Sequence, residues 1–524
     1  MSKQTAAALD RNLLLAVKGG GILLAGKLFT YASRFVNAVL LARLLAASMY
    51  GQYSLSLTTV EVLAGLGSLG LTETVVRFVP MLMVRKDKAG VRGTLEVCLG
   101  VTTGLGLALG LALFILADPV AQLVLHKPQV TPLLRLVSVF LPFFMLNDLL
   151  AAATRGFKNM KYTTLAQFIV HPALKVVLLL LFALAGLNSA RALTAAGVAE
   201  IAVSLILIYF LKKQIEDKGP FPAARREPGE LFQFSLPIYF SFLLDEFAGR
   251  LQVLFLGLLS TLSSVGVFAL CRELSRISEA FQASVRMSSE PIVSELLGKG
   301  GKSEFEAFYR YMTRWAITLN LPLFLVLILL PKQILSFFGA SFAGGATVLV
   351  VLGWRRIIHT TTGLARVVLD MTGYNRLKLL NSVVRLVLIV GLNLLLIPRW
   401  GALGAAIAAF LAEGTVCFLR QLEIFVLLRA LPYDRALLKP LTAAVITAAL
   451  VTVVRRAVPP EPVLLYTTAN AAFILVTYLA SLLVMGLSSE DRMVLTRFRA
   501  RASQIWSGNG GRAEPALKPS PIRD

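Results

Sequence analysis

Apolar runs of about 20 residues recur along the whole of this 524-residue chain. Each is long enough, as a helix, to cross ~30 Å of hydrocarbon. Only helices and closed barrels satisfy their own backbone hydrogen bonds in lipid, and runs of this length select helices. With 56% hydrophobic and 15% charged residues, the chain reads as an all-α polytopic membrane protein with about 14 transmembrane helices. The spans lie near 19–42, 53–79, 93–117, 133–153, 163–185, 192–211, 232–257, 264–288, 312–330, 346–370, 379–397, 402–428, 437–454 and 463–486.

The formal net charge of +23 would point to nucleic acid in a soluble chain. Here the cations gather in alternate connections, about 31 Lys and Arg against about 7 in the opposite loops, as the positive-inside rule requires. That asymmetry predicts cytoplasmic termini and no nucleic-acid partner; Arg455 and Arg456 are its one clear local exception. Met1 to Lys18 is a polar lead without a small-residue cleavage site, so no removable signal peptide is expected. Cys98, Cys271 and Cys417 fall in apolar segments without metal-ligand spacing and read as buried packing residues. His126, His171 and His359 are scattered, and no nucleophile elbow or phosphate-binding glycine loop follows a strand. The reading is therefore a protein that is not an enzyme, with no cofactor and no metal. GLGSLG at 65–70 lies inside a span, where glycines permit close helix packing.

The stretch from Ala25 to Pro80 reads as two helices joined by a turn at Ala47 to Gly51. A shift of 215 residues sets LARLLAASMYGQYSL (41–55) on LGLLSTLSSVGVFAL (256–270), with Gly51 on Gly266. Each of these glycines is read as marking the turn into an even-numbered span. A shift of 217 sets RGFKNMK (155–161) on TGYNRLK (372–378). Six spans precede each repeat start, which implies parallel repeats related by an axis along the membrane normal. The expected organisation is an N-lobe (1–211), a charged, Pro- and Gly-rich cytoplasmic linker (212–230), a C-lobe (231–430) and two further spans (431–487). A basic, partly disordered cytoplasmic tail (488–524) follows, its Arg492, Arg497, Arg499 and Arg501 suited to anionic headgroups. The two six-helix lobes would enclose a central cavity.

The segments LLARLLAASMYGQYSLSLTTVEVLAGLGSLGLTETVVRFVP and FSLPIYFSFLLDEFAGRLQVLFLGLLSTLSSVGVFAL resemble the polysaccharide transporter, or oligosaccharide-repeat-unit flippase, family. That family belongs to the multidrug/oligosaccharidyl-lipid/polysaccharide exporter superfamily. The resemblance implies a V-shaped pair of lobes in the cytoplasmic membrane. By alternating access they move undecaprenyl-diphosphate-linked oligosaccharides to the outer leaflet. It also implies membrane lipids and a polysaccharide polymerase or glycosyltransferase machinery as partners.

The residues themselves favour an anionic cargo. A cation deep in a span costs ~3 kcal/mol unless it faces water or a carboxylate. Lys27, Tyr31 and Arg34 share one face of span 1. Arg272, Arg276 and Glu279 form a stripe in span 8. Arg355, His359, Thr362 and Arg366 do so in span 10, beside Arg356, and Gln167, His171 and Lys175 in span 5. Each stripe lines a wet cavity, forms an intramembrane ion pair or snorkels. Guanidinium groups offer a planar fork of donors to phosphate oxygens. Among the acids, Asp245 and Glu246 sit near the middle of span 7, four to five residues before Arg250. A Glu246–Arg250 pair would leave Asp245 as a proton or sodium site. Glu61 falls on Arg276 in the 215-residue alignment, which suggests a gate between them. A cation-coupled multidrug antiporter and a peptidoglycan lipid-precursor flippase remain alternatives. A membrane enzyme acting on lipid-linked sugars ranks below them, because every outer loop is short.

Overall fold

The computed structural model describes residues 29–157, 160–279, 302–372, 374–457 and 463–486, with Gly26, Gln282, 289–290 and 292–297. Lys27, the polar lead and the basic tail lie outside the described residues. So do the side chains of Asp245 and Glu246, whose backbone is helical. The first half holds α1 (29–44), α2 (Ala47–Gly67), α3 (Leu71–Val84), α4 (Lys88–Pro119), α5 (Thr131–Gly156), α6 (Met160–Leu184) and α7 (Ser189–Glu216). The second holds α8 (Pro228–Leu259), α9 (Leu262–Ser275), α10 (Lys302–Leu329), α11 (Pro331–Phe338), α12 (Ala346–Thr361) and α13 (Gly363–Thr372). It ends with α14 (Asn375–Leu428), α15 (Leu438–Ala457) and α16 (Val463–Val484).

This is a polytopic, all-helical membrane architecture. Nine helices among the described residues are long and apolar enough to span, or ten if the bent pair α2–α3 is one span. The sequence count of 14 differs for physical reasons. Asp245, Glu246 and Arg250 lower the apolarity of α8, and α9 has only 14 residues. The expected spans 379–397 and 402–428 are the arms of one element, α14. A straight helix of its 54 residues would run about 80 Å. Instead the chain folds back at Gly401 (φ 51°, ψ −125°). The fold-back is sharp enough that a Cβ on Gly404 would meet Leu396 O at 2.3 Å.

The central hairpin also departs from its expected form. The turn placed at Ala47–Gly51 sits at Leu45–Ala46, and Gly51 lies inside α2. Its glycine serves contact rather than turning. A Cβ on Gly51 would lie 1.8 Å from Leu262 O, and one on Gly266 would lie 1.9 Å from Ala47 O. The contact is reciprocal at the same 215-residue shift that relates the two sequences. Helices α2 and α9 therefore touch backbone to backbone at symmetry-matched positions.

The span expected over 53–79 is two helices bent by 48°. Leu69 and Gly70 both take left-handed φ (46° and 72°), a conformation that glycine adopts without strain. A Cβ on Gly70 would also sit 2.7 Å from Ser235 O of α8. Tyr239 donates its hydroxyl to Leu66 O at 2.6 Å, satisfying a carbonyl that the break would otherwise leave to α2's own next turn. Of the glycines in 65–70, Gly67 does serve packing, since its Cβ would meet Met145 Cε at 2.6 Å. The break lets Glu61 before it and Glu73 after it reach one cavity.

Around this hairpin, α5 packs on α2, α3, α4 and α7. Its fully buried Ala151, Ala152 and Ala153 allow that close approach. Helices α15 and α16 join α10, with Ile317, Leu321, Val451, Ile474 and Tyr478 in one apolar cluster. Cys98, Cys271 and Cys417 are buried free thiols. Of the expected linker 212–230, residues 212–216 continue α7 and 228–230 begin α8; the segment between them is fastened to the start of α4. Arg225 bonds Asp87 and Arg226 bonds Glu96, each at 2.7 Å, and Lys88 Nζ donates to Lys218 O at 2.6 Å.

Candidate functional site

A central cavity of about 730 Å³ lies among α1, α2, α3, α8, α9, α12, α13 and α14. Among the described residues nine Lys and Arg line it against four Glu. From the first half come Arg34, Glu61 and Glu73, and from α8 and α9 come Arg250 and Arg272. Arg276 and Glu279 follow α9 on a short 3₁₀ turn (Arg276–Ser278). Arg355, Arg356, Arg366, Lys378, Arg385 and Glu413 complete the charged lining from the second half. An adjoining chamber of about 300 Å³ shares Arg355, Arg356, Arg366 and Arg385 and adds Tyr31 and His359.

The carboxylates are threaded between the cations. Glu273 takes a two-point contact from Arg34, Nε–Oε1 2.9 Å and Nη2–Oε2 3.3 Å, and lies 3.7 Å from Arg276. Arg276 bonds Glu279 at 3.1 Å, and Glu279 bonds Arg356 at 2.7 Å. This ladder ties α1 to α9 and α12. Deeper in, Arg355 bonds Glu413 at 3.1 Å, and Glu413 sits among Arg385, Arg420 and His359. His359 Nδ1 lies 3.0 Å from Gln282 Oε1. On the α8 side Arg272 donates to Gly249 O at 3.3 Å. Even so, the Nε–H groups of Arg272, Arg355 and Arg356 are buried with no hydrogen-bond partner among the described residues. A buried donor left unmade costs about 1–3 kcal/mol, more when charged.

Arg34, Glu61, Arg250, Arg272, Arg276, Arg355 and Arg366 all line the central cavity, and Tyr31 lines its side chamber. Lys27 lies outside the described residues. The partner of Glu61 is Arg250 (Nε–Oε2 3.3 Å) rather than Arg276, because α8 crosses α2 at that level while the ladder engages Arg276. Nothing is described of the side chains of Asp245 and Glu246. The Gln167–His171–Lys175 stripe splits. Gln167 and His171 line a second arm of the cavity, while Lys175 lies 5.9 Å from the Tyr53 ring. A π-helical stretch, Thr164–Val170, precedes His171 and resets the stripe's register.

Sequence reasoning missed Glu200, Glu273, Glu413 and Arg385. A lone carboxylate in an apolar run, as in AAFLAEGTV, is itself a signal that could have found Glu413. Glu273 lies beside Arg272, off the i, i+4 stripe.

With the geometry in hand, comparisons with known proteins add the lineage. A family model described as polysaccharide biosynthesis protein matches residues 16–297, and a MatE model matches residues 237–395. The probable low-salt glycan biosynthesis flippase Agl15 of Haloferax volcanii is 27% identical over 202 residues, 37% of this chain and 42% of that protein. The succinoglycan biosynthesis transport protein ExoT of Rhizobium meliloti is 30% identical over 119 residues, 23% of this chain and 22% of that protein. The matched parts thus span less than half of either relative. Among solved structures, the lipid II flippase MurJ in an inward closed conformation superposes with TM-score 0.69 at 12% identity, covering 87% of this chain and 97% of that one. An inward-facing multidrug resistance MATE transporter gives 0.66 at 15%, covering 76% and 94%. These likenesses show a shared transporter fold. Because the first family model covers more than half of the 524 residues, the chain belongs to the family of polysaccharide biosynthesis proteins.

Proposed function

We propose that this chain is a flippase for a glycan linked to a polyprenyl diphosphate, a building unit of a cell-surface polysaccharide. The observation that carries the reading is the charge of the cavity. Nine Lys and Arg face four Glu, and three guanidinium groups keep unused buried donors. A lipid diphosphate matches such a lining, since guanidinium forks pair with phosphate oxygens. The names of the two relatives, a glycan biosynthesis flippase and a succinoglycan transport protein, support the same substrate class. Two lobes, 1–211 and 231–430, would rock about the central cavity, with both termini and the 212–230 segment in the cytoplasm. Asp245 is the proposed coupling group for a proton or sodium ion.

The MatE match over 237–395 favours a second reading, cation-coupled antiport of organic cations. The surplus of guanidinium groups opposes it, because a cationic cargo would meet like charge. The two readings part in proteoliposomes containing an undecaprenyl-diphosphate-linked sugar. Two charge-assisted contacts at about 1.5–3 kcal/mol each correspond to a roughly 100- to 10,000-fold loss of binding. Arg355→Ala/Arg356→Ala should therefore abolish flipping at low substrate. Wild-type rates in that variant would exclude the diphosphate role.

A further inference from the structure

The cavity has a second arm whose charge is opposite to that of the centre. It holds about 530 Å³ beneath α5, α6 and α7, and shares Glu61, Glu73 and Arg250 with the central cavity. Its volume lies within the ~300–1,000 Å³ usual for small-molecule sites. Asp148 and Glu200 bring its carboxylates to four, against Arg155 and Arg250. His171 Nε2 lies 2.9 Å from Glu200 Oε1, and Asn147 Nδ2 donates to Glu200 Oε2 at 2.5 Å.

Two further side chains lining this arm are buried and incompletely used. Asn147 is 5% exposed and Thr102 is 1% exposed. The Asn147 Oδ1 and the Thr102 hydroxyl have no hydrogen-bond partner among the described residues. Buried polar atoms are ordinarily satisfied, and two in one chamber mark a place where a polar ligand completes the bonding. Carboxylates, an amide oxygen and a hydroxyl are acceptors first. They suit a neutral ligand rich in O–H and N–H donors and repel an anion.

We infer that this arm receives the sugars next to the diphosphate, and that it selects glycans whose first residues carry no acidic group. The inference rests on the flippase reading above and fixes an orientation within it. The diphosphate lies among Arg272, Arg355, Arg356 and Arg366, and the first sugars lie toward Asn147, Asp148 and Glu200. A uronic or sialic acid at that point would set its carboxylate against four others. The four carboxylates outnumber Arg155 and Arg250, and in a partly hydrated site one like charge in excess at about 6–8 Å reduces binding on the order of tenfold or more.

The test uses three lipids on the unchanged protein in nanodiscs. They are bare undecaprenyl diphosphate, the same lipid carrying a neutral N-acetylhexosamine disaccharide, and its counterpart with a hexuronic acid as second sugar. The neutral glycolipid should bind at least tenfold more tightly than the uronic one. In Glu73→Gln/Asp148→Asn that ratio should fall below about threefold. Equal binding of the two glycolipids to the unchanged protein overturns the inference, as does a ratio that the double variant leaves untouched. Bare undecaprenyl diphosphate separates the two levels of the argument. If it does not bind, or binds equally to Arg355→Ala, the flippase reading falls and this inference with it. If it binds through the arginines while the glycolipids do not differ, only the selectivity falls.

Discussion

Replacing Gly51 with Ala should force apart the crossing of α2 and α9. The new methyl would stand 1.8 Å from Leu262 O, where ordinary contact begins near 3.4 Å. The helices must therefore separate by about 1.6 Å, and the obstacle is a backbone carbonyl that cannot swing away as a side-chain tip would. Overpacking of this kind costs about 1–3 kcal/mol. If the cavity opens alternately to the two sides, the crossing is made in one state and parted in the other. The whole penalty then falls on the state with the contact, shifting the equilibrium roughly 5- to 150-fold toward the other. Leu55 reports on this, since it is fully buried one turn further along α2 and packs on Gly257. In a background with Cys98, Cys271 and Cys417 replaced by Ser, Leu55→Cys should react slowly with a membrane-impermeant maleimide. Adding Gly51→Ala should speed that reaction at least fivefold, and Gly266→Ala should act alike because its own methyl meets Ala47 O at 1.9 Å. Gly100→Ala is the control, because a Cβ there meets nothing within 4 Å. Unchanged labelling in both variants, with unchanged thermal stability, would refute the reasoning.

Glu413→Gln removes a 4%-exposed carboxylate that faces Arg355, Arg385, Arg420 and His359; breaking such a buried pair costs about 3–5 kcal/mol. Purified protein should lose about 3–5 °C of thermal stability, and an unchanged melting curve would deny the site its structural role. Gly70→Ala, at φ +72° and 2.7 Å from Ser235 O, should lower the yield of folded protein more than Gly100→Ala does, as measured by fluorescence-detected gel filtration. Arg34→Ala/Arg276→Ala should reduce surface glycan at normal protein abundance, whereas full export would remove these two arginines from the transport path. Cysteine-accessibility labelling should find position 220 on the cytoplasmic face, and labelling from outside would invert the topology. Asp245→Asn should yield a folded protein whose flipping in proteoliposomes no longer responds to pH or sodium; wild-type dependence would end the coupling proposal.

Much of this architecture was legible because membrane spans announce themselves by length and apolarity. The cationic lining was legible for a related reason. Arg34, Arg272, Arg276, Arg355 and Arg366 are each too costly to face lipid, and all five line the cavity. The internal repeat was also visible, although its glycines were taken for turn markers. A sequence shift cannot say that Gly51 and Gly266 touch, because contact depends on how two helices cross. What stayed hidden was pairing. Local spacing offered Arg250 only its neighbour Glu246, and gave no sign that Arg250 also bonds Glu61, 189 positions away. The acids that thread the cavity, Glu200, Glu273 and Glu413, each find cations on other helices. The break at Ser68–Gly70 was legible only as glycine content, since a small-residue run reads equally as packing or as a bend.

The same surplus of charge bears on how such a carrier could cycle. Guanidinium groups in a wet, open cavity are solvated, so the imbalance of nine cations and four acids costs little there. When the cavity occludes, water is restricted and the Coulomb repulsion among Arg272, Arg355 and Arg356 grows as the local dielectric falls. A bound diphosphate, a dianion, removes two of the five surplus charges. Occlusion is then easier for the loaded protein than for the empty one, which links closure to cargo without any separate sensor. The empty return meets the same barrier without an anion to lower it. A salt anion entering from outside would lower it, while a proton bound by a cavity carboxylate would raise it. A proton or sodium ion could therefore assist the return only from a site set apart from the central arginines. In this chain Asp245 of α8 is the group proposed for that role. The ion dependence of flipping by Asp245→Asn is measured on that return step.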